Sequence, residues 1–178
     1  MEIIKTELAG VQVIHPRVFE DARGGFVKTY HLQTLREAGL AFQPQEEFFS
    51  GSHRNVIRGM HFQMPPHTQT RLVYCPRGRV LDVVVDLRKN SPTFRRVLSR
   101  ELTGANHEML FIPEGFAHGF LALDELSLMI YLASPVHSPR HDAGIAWNSI
   151  DFHWPVKNPV LSERDQQFPA LRDFQSPF

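Results

Sequence analysis

The sequence predicts an all-β fold, a sandwich or a double-sheet jelly roll. Three observations predict it. Short apolar runs recur along most of the chain, each bounded by Gly, Pro or other turn residues. The composition is turn-rich and aromatic, with 14 Phe, 13 Pro and 11 Gly in 178 residues, which suits packed sheets better than a helix bundle. Only one segment near the N-terminus reads clearly as a helix. Many short strands at close spacing are the signature of two packed sheets.

Taken in order, Val11-Gln12-Val13-Ile14 alternates and stops at Pro16. Phe26-Val27-Lys28-Thr29-Tyr30 alternates after an Arg23-Gly24-Gly25 turn. The helix covers Leu32-Gln33-Thr34-Leu35-Arg36-Glu37-Ala38, with Gly39 as its C-terminal cap. Ile57-Arg58-Gly59-Met60-His61-Phe62-Gln63 is an apolar, strand-like run. Arg71-Leu72-Val73-Tyr74-Cys75 leads into Pro76-Arg77-Gly78, a hairpin-type turn. Val80-Leu81-Asp82-Val83-Val84-Val85-Asp86 reads as a buried strand carrying two acids. Met109-Leu110-Phe111-Ile112 ends at Pro113-Glu114-Gly115, and Phe120-Leu121-Ala122-Leu123 and residues 126–132 complete the strands. From about Asn158 the chain turns polar with scattered apolar residues, which predicts a helix and a tail lying on the barrel. No linker, low-complexity tract or repeat interrupts residues 1–178, so one domain is expected.

Charge and cysteine content narrow the function. Lys+Arg and Asp+Glu number 19 each, which argues against a nucleic-acid or membrane-surface binder. With Cys75 alone no internal disulfide can form, and a reducing, cytoplasmic setting is the expectation. The opening Met-Glu-Ile-Ile-Lys is too short and charged for a signal peptide, and no apolar run of about 18 residues exists to span a membrane.

The chemistry concentrates around His61, a histidine in an apolar strand with Arg58 three residues before it. Such a ring either acts on a ligand or has a buried partner, and Asp165 in Leu161-Ser162-Glu163-Arg164-Asp165 is a candidate partner. Asp82 and Asp86 interrupt a Val/Leu strand, and buried carboxylates are costly unless paired, so at least one faces a polar cavity; Asp86 also fits a solvated strand end. His118, in Ile112-Pro113-Glu114-Gly115-Phe116-Ala117-His118-Gly119-Phe120, reads as a turn histidine delivered to the barrel mouth. Arg23, Arg58 and Arg71 flank strand signals; ordinary surface pairing accounts for any one of them, while several beside a histidine favour a phosphorylated or nucleotide-linked ligand. No catalytic metal is expected: His61, His67 and His118 lack metal-ligand spacing, and His137 and His141 lie in a proline-broken stretch. Phosphate-loop and nucleophile-elbow motifs are absent.

Together, Asp21-x-Arg23-Gly24-x-Phe26, Arg58-Gly59-Met60-His61-Phe62-Gln63, Gly78-x-Val80-x-Asp82-Val83 and Asp86-Leu87-Arg88-x-x-Ser91-Pro92-Thr93-Phe94 resemble the dTDP-4-dehydrorhamnose 3,5-epimerase family. So do Ile112-Pro113-x-Gly115-Phe116-Ala117-His118-Gly119-Phe120, Gly144-Ile145-x-Trp147-Asn148 and Leu161-Ser162-Glu163-Arg164-Asp165. The resemblance implies a cupin-type double-stranded β-helix jelly roll with a few short helices, a homodimer, no metal or organic cofactor, and a nucleotide-diphosphate 4-keto-6-deoxy sugar as substrate in deoxysugar biosynthesis. It implies epimerisation at C3 and/or C5 through an enolate, with His61 as base and Asp165 orienting it. His118 and Arg58 match polar groups around the sugar and diphosphate, and Asp82 matches another active-site carboxylate. Arg23 and Phe26 match nucleotide contacts made to the partner subunit's site, and Gln45 and Trp147 complete the substrate-binding set.

Three positions depart from the family pattern. Arg71 stands where the family usually has an enolate-stabilising lysine. His137, counted back from Pro139, falls where the family places its catalytic tyrosine, although a one-residue slip would put Val136 there. Lys28 replaces a glutamate; it only donates and would suit a base that presents acceptors, such as cytosine. These departures raise the expectation of a CDP-linked or other non-thymidine substrate, epimerised at one carbon only. Other readings are a 4-keto/3-keto sugar-nucleotide isomerase, a non-catalytic sugar-nucleotide binding relative, and a metal-dependent cupin oxygenase.

Overall fold

Side-chain alternation sorts this chain into layers, and one break in that alternation builds the site. The computed structural model describes residues 1–178. The chain opens with β1 (Glu2–Lys5) and β2 (Gln12–His15), followed by β3 (Val18–Asp21) and β4 (Gly24–Val27). A short helix, α1 (Leu32–Glu37), comes next; the His31 ring caps it by accepting from the Thr34 N–H, and Gly39 beyond its end takes φ +81°. Then follow β5 (Glu46–Ser52), β6 (Ile57–Gln63), β7 (Thr70–Arg77), β8 (Arg79–Asp86), β9 (Val97–Thr103), β10 (Met109–Ile112), β11 (Phe116–Ala122), β12 (Ser127–Ser134) and β13 (Asp142–Gly144). A one-turn helix, α2 (Glu163–Gln166), lies near the C-terminus.

Two antiparallel sheets carry the fold: a six-stranded sheet in the order β1-β2-β10-β7-β12-β5, and a five-stranded sheet in the order β13-β6-β11-β8-β9. This is the expected cupin-like jelly roll. The strands β3 and β4 form a separate two-stranded ribbon. Between the sheets lies a core containing Val73, Val80, Val84, Leu98, Leu110, Phe116, Phe120 and Tyr131. The outer face of the five-stranded sheet, with Val83, Val85, Ala117 and Leu121, packs against Ile150, Trp154 and Leu171 of the C-terminal segment. Successive strand residues face opposite ways. Val80 and Val84 point inward and Val83 and Val85 outward, so Asp82 points inward. By the same count on β11, His118 shares the inner face with Phe116 and Phe120.

Strict alternation would put Arg58 and His61, three residues apart, on opposite faces of β6. The pairing to β11 prevents this. His118 opposes His61 and Phe120 opposes Arg58, so three steps on β6 match two on β11. The surplus residue is a bulge. Ile57, Met60 and Phe62 all join the outer core, while Arg58 and His61 both reach the cavity between the sheets. Glycine makes the bulge possible. Gly59 has φ +144°, and a Cβ there would come within 2.6 Å of the Gly119 Cα. A Cβ on Gly119 would sit 2.7 Å from the Arg58 carbonyl oxygen.

The structure corrects several element boundaries. The run from Phe26 stops pairing at Val27, because its partner strand begins only at Val18 after Pro16-Arg17. Pro76-Arg77-Gly78 is no hairpin: β7 and β8 belong to different sheets, and Gly78, at φ +79°, carries the chain between them. His118 lies within a strand rather than a turn, paired on one side to β6 and on the other to β8.

Adding a methyl group at the strand crossing strikes backbone that cannot swing aside. Gly59→Ala and Gly119→Ala should each lower unfolding free energy by about 3 kcal/mol. Gly25→Ala, with open space around it, should change it by less than about 0.5 kcal/mol. Urea denaturation midpoints of the three variants check this.

Candidate active site

A cavity of about 420 Å³ opens between the sheets, and both walls contribute charge. The five-stranded sheet supplies Arg58, His61, His118 and Asp142; the six-stranded sheet supplies Glu46, Phe48, Arg71 and Tyr131. Gln69, His137 and Arg164 close the rim.

His61 is backed by Asp165, which is 3% exposed, with Nε2 2.8 Å from Oδ1. The other carboxylate oxygen accepts the Gly59 N–H at 3.2 Å, a backbone donor at the bulge. The Ser162 hydroxyl accepts the Asp165 N–H at 3.1 Å and fixes the α2 turn that presents the carboxylate. Nδ1 of His61 makes no hydrogen bond within the chain. Burial pushes the imidazole below its ordinary value of 6.5; the Asp165 contact opposes this, and Arg164 and Arg71 reinforce it. Burial works to raise the Asp165 carboxyl, but its contacts with His61 and the Gly59 N–H leave it lowered. The dyad is therefore a neutral imidazole beside a carboxylate at neutral pH.

A second pair lies deeper. His118 Nε2 is 3.0 and 2.8 Å from the two oxygens of Asp82, and both residues are buried. Burial raises the Asp82 carboxyl, opposed by His118. Tyr131 is buried against these groups, its ring 6.0 Å from that of His118 and stacked on Phe48 at 4.7 Å. Burial, then the Asp82 charge, push the phenol far above its ordinary value, so it keeps its proton. Arg71 has no carboxylate partner; its guanidinium donates to Gln69 Oε1 at 3.1 Å. Burial lowers it, yet a guanidinium stays charged. Arg58 donates to the Ser52 hydroxyl at 3.0 Å and the Gly51 carbonyl at 3.1 Å, tying the two sheets together.

Of the residues singled out in the sequence, His61, Arg58, Arg71, His118 and His137 line this cavity, with Asp165 and Asp82 directly behind. His137 is half exposed at the rim, 3.7 Å from Asp142. Gln45 is exposed and outside the cavity, where its neighbour Glu46 stands instead. Trp147 packs on the outer core against Trp154. Arg23 is exposed and paired to Asp21 on the β3–β4 ribbon. Phe26 and Lys28 line a separate depression with Arg17, Phe19 and His31.

The sequence reading passed over Tyr131, Glu46, Asp142 and Arg164. Tyr131 carried a signal, since it lies in step with the inward-facing Met129 and Ala133 of an apolar strand. A tyrosine is therefore not missing from the cavity: Tyr131, on a strand before the proline-rich turn, lines it together with His137.

A family model for dTDP-4-dehydrorhamnose 3,5-epimerase matches residues 5–173. The chain belongs to the dTDP-4-dehydrorhamnose 3,5-epimerase family. The epimerase of that name from Shigella flexneri is 40% identical over 168 residues, covering 93% of both chains. The Bacillus anthracis dTDP-4-dehydrorhamnose 3,5-epimerase, solved with TDP and pyrophosphate bound, superimposes with a TM-score of 0.93 at 37% identity, covering 96% of this chain and 99% of that one. A 3'-monoepimerase from Streptomyces bikiniensis, solved with dTDP, has a TM-score of 0.90 at 27% identity, covering 95% of this chain and 87% of that one. That protein carries two replacements, a histidine and a tyrosine, with the same separation in sequence as His61 and Tyr131 here.

In this member of the epimerase family, burial of His61 has a thermodynamic consequence. Its folded value lies below the ordinary 6.5, so between the two the unfolded chain binds a proton that the folded chain refuses. Stability then falls as pH drops below about 6.5, by at most ~1.4 kcal/mol per pH unit from this group. The depressed Asp165 adds a further loss as pH falls through and below the ordinary carboxylate range. Urea denaturation at pH 7.5 and 5.5 should show a larger loss for the native chain than for His61→Gln.

Proposed function

We propose that this chain inverts C3 and C5 of a nucleotide-diphosphate-linked 4-keto-6-deoxy sugar. One observation carries the reading: a neutral imidazole backed by a carboxylate and a phenol held protonated face one cavity from opposite sheets. The C4 ketone acidifies the neighbouring C–H bonds. His61 removes the proton, and Asp165 holds the ring and stabilises the imidazolium that forms. The electrons move onto the ketone oxygen. Arg71 supports that enolate, since no carboxylate neutralises it. Tyr131 returns a proton to the opposite face, inverting the centre. Arg58, His118 and Asp82 orient the sugar and diphosphate, while His137 and Gln45 flank the rim.

The chain acts as one epimerase domain over residues 1–178 and works as a cytoplasmic homodimer. The exposed Phe19 and Phe26 on the β3–β4 ribbon, with the exposed Arg23–Asp21 pair, support a ribbon that reaches the partner's cavity. Trp147 acts through the outer core that backs β6.

The nucleotide we assign is thymidine diphosphate, as bound by the solved relatives. A second reading rests on Lys28, which lines the ribbon depression beside Phe26 and offers donors only, favouring cytidine diphosphate. Initial rates on dTDP- and CDP-linked 4-keto-6-deoxyglucose separate them: a higher kcat/KM on the dTDP sugar is expected, and the reverse order selects the second reading.

In D2O, the native chain should incorporate deuterium at C3 and C5. His61→Asn should slow this by about 10³-fold. Tyr131→Phe should keep exchange at the carbon His61 deprotonates while losing inversion, read by NMR of the product. Exchange that survives His61→Asn would defeat the assignment. Two inactive variants, Arg23→Ala and His61→Ala, should regain about a quarter of native activity when co-refolded, because half the dimers then hold one intact site of two.

A further inference from the structure

The mechanism above leaves Arg164 unused, although it touches the base. Arg164 precedes Asp165 on α2, and its Nη2 lies 2.9 Å from His61 Nε2, the ring nitrogen that also faces Asp165. Its Nη1 is ion-paired with Asp142, which β13 holds beside β6 through the Asp142–Gln63 register. Its Cζ stands 5.7 Å from the centre of the Phe168 ring, and that ring meets His61 edge-on at 5.7 Å. Gly144 leaves room for Phe168, since a Cβ there would come within 2.4 Å of it. Its Nε is also 3.5 Å from Asp165 Oδ1, so the guanidinium is held by four neighbours, although the residue itself is half exposed.

This contact is chemically unusual. Asp165 attracts a proton on Nε2, whereas Arg164 brings a fixed N–H and a positive charge to the same nitrogen. We propose that Arg164, anchored by Asp142, is a positioning residue that holds the His61 ring and favours its uncharged form. The proposal rests on the reading of His61 as the base. Other charged or titratable groups facing His61 are Asp165 from α2, His118 directly opposite on β11, Arg71 from β7, and Asp142 from β13 acting through Arg164. Asp165 alone would hold the ring charged to higher pH and reduce the free base. Arg164 offsets it, so that the imidazolium formed by C–H abstraction sheds its proton readily and the free base is regenerated for the next turnover.

Asp142 extends the link across the rim, because His137 Nε2 lies 3.7 Å from the same Oδ2 that holds Arg164.

The test uses the full-length protein and two readouts. NMR of histidine-labelled, ligand-free protein follows the His61 ring through its titration. In Arg164→Gln, and in Arg164→Met as a second uncharged variant, the ring should keep its second proton to higher pH than in the native chain. Arg164→Lys should restore the native behaviour. With the dTDP-linked 4-keto sugar, kcat/KM for exchange in Arg164→Gln should be about fivefold lower than native at pH 5.5 and within about twofold at pH 8. An unchanged ring titration in both uncharged variants overturns the proposal. So does a loss of equal size at every pH that lysine does not relieve. A shifted titration in the uncharged variants, together with a native protein that shows no exchange on any sugar nucleotide, would support the role of Arg164 and overturn the epimerase reading instead.

Discussion

The site depends on the closeness with which β6 crosses β11. Two glycines face each other there, Gly59 and Gly119, and neither tolerates a Cβ. Because they meet, β6 takes an extra residue and both Arg58 and His61 enter the cavity. The same bulge directs the Gly59 N–H to Asp165, so one backbone irregularity orients His61, positions its carboxylate and turns the bridging arginine inward. Bulges commonly re-aim side chains beside active sites, and here the re-aimed side chain is the imidazole that Asp165 backs.

Burial then sets the protonation of each group. Water is excluded from Tyr131 by Phe48 and the inner core, and the phenol cannot ionise beside Asp82. His61 is also disfavoured as a cation by burial, but less so, because Asp165 compensates. The two groups end in complementary states, one able to accept a proton and one able to give it. The cost of enclosing these charges is met locally: Asp165, Asp82 and Asp142 each have a cationic or histidine neighbour, while Arg58 and Arg71 face the cavity without an ion-pair partner. The Arg71 charge is the one an enolate oxygen would use.

Central strands were legible from the sequence and edge strands were not. The runs at Val80, Met109 and Phe120 are apolar because both faces are buried, and each proved to be interior. The strands that escaped notice, β1, β3, β5, β9 and β13, all lie at a sheet edge or in the ribbon. One face of such a strand meets solvent and one ladder is unpaired, so Glu, Ser, Arg and Gly are tolerated and the periodic signal disappears. Tyr131 was overlooked for the opposite reason. In an apolar strand it resembles core, and only the facing sheet reveals that its hydroxyl belongs to the cavity.

By itself the sequence determined the all-β class, the family, and the His61–Asp165 pairing. These follow from local signals: turn residues between apolar runs, ordered motifs, and a polar ring where apolar residues belong. Only the tertiary structure decided which polar residues share the cavity. Arg58 and His61 share a face only because a bulge breaks the two-residue period. Tyr131 is buried in the cavity and His137 stays half exposed at its rim because the two sheets close over the tyrosine. Arg164 reaches the base because α2 and β13 converge on β6 from parts of the chain remote in sequence. Strand periodicity is a property of neighbours along the chain, whereas a site is assembled by contacts between sheets, which no local pattern encodes.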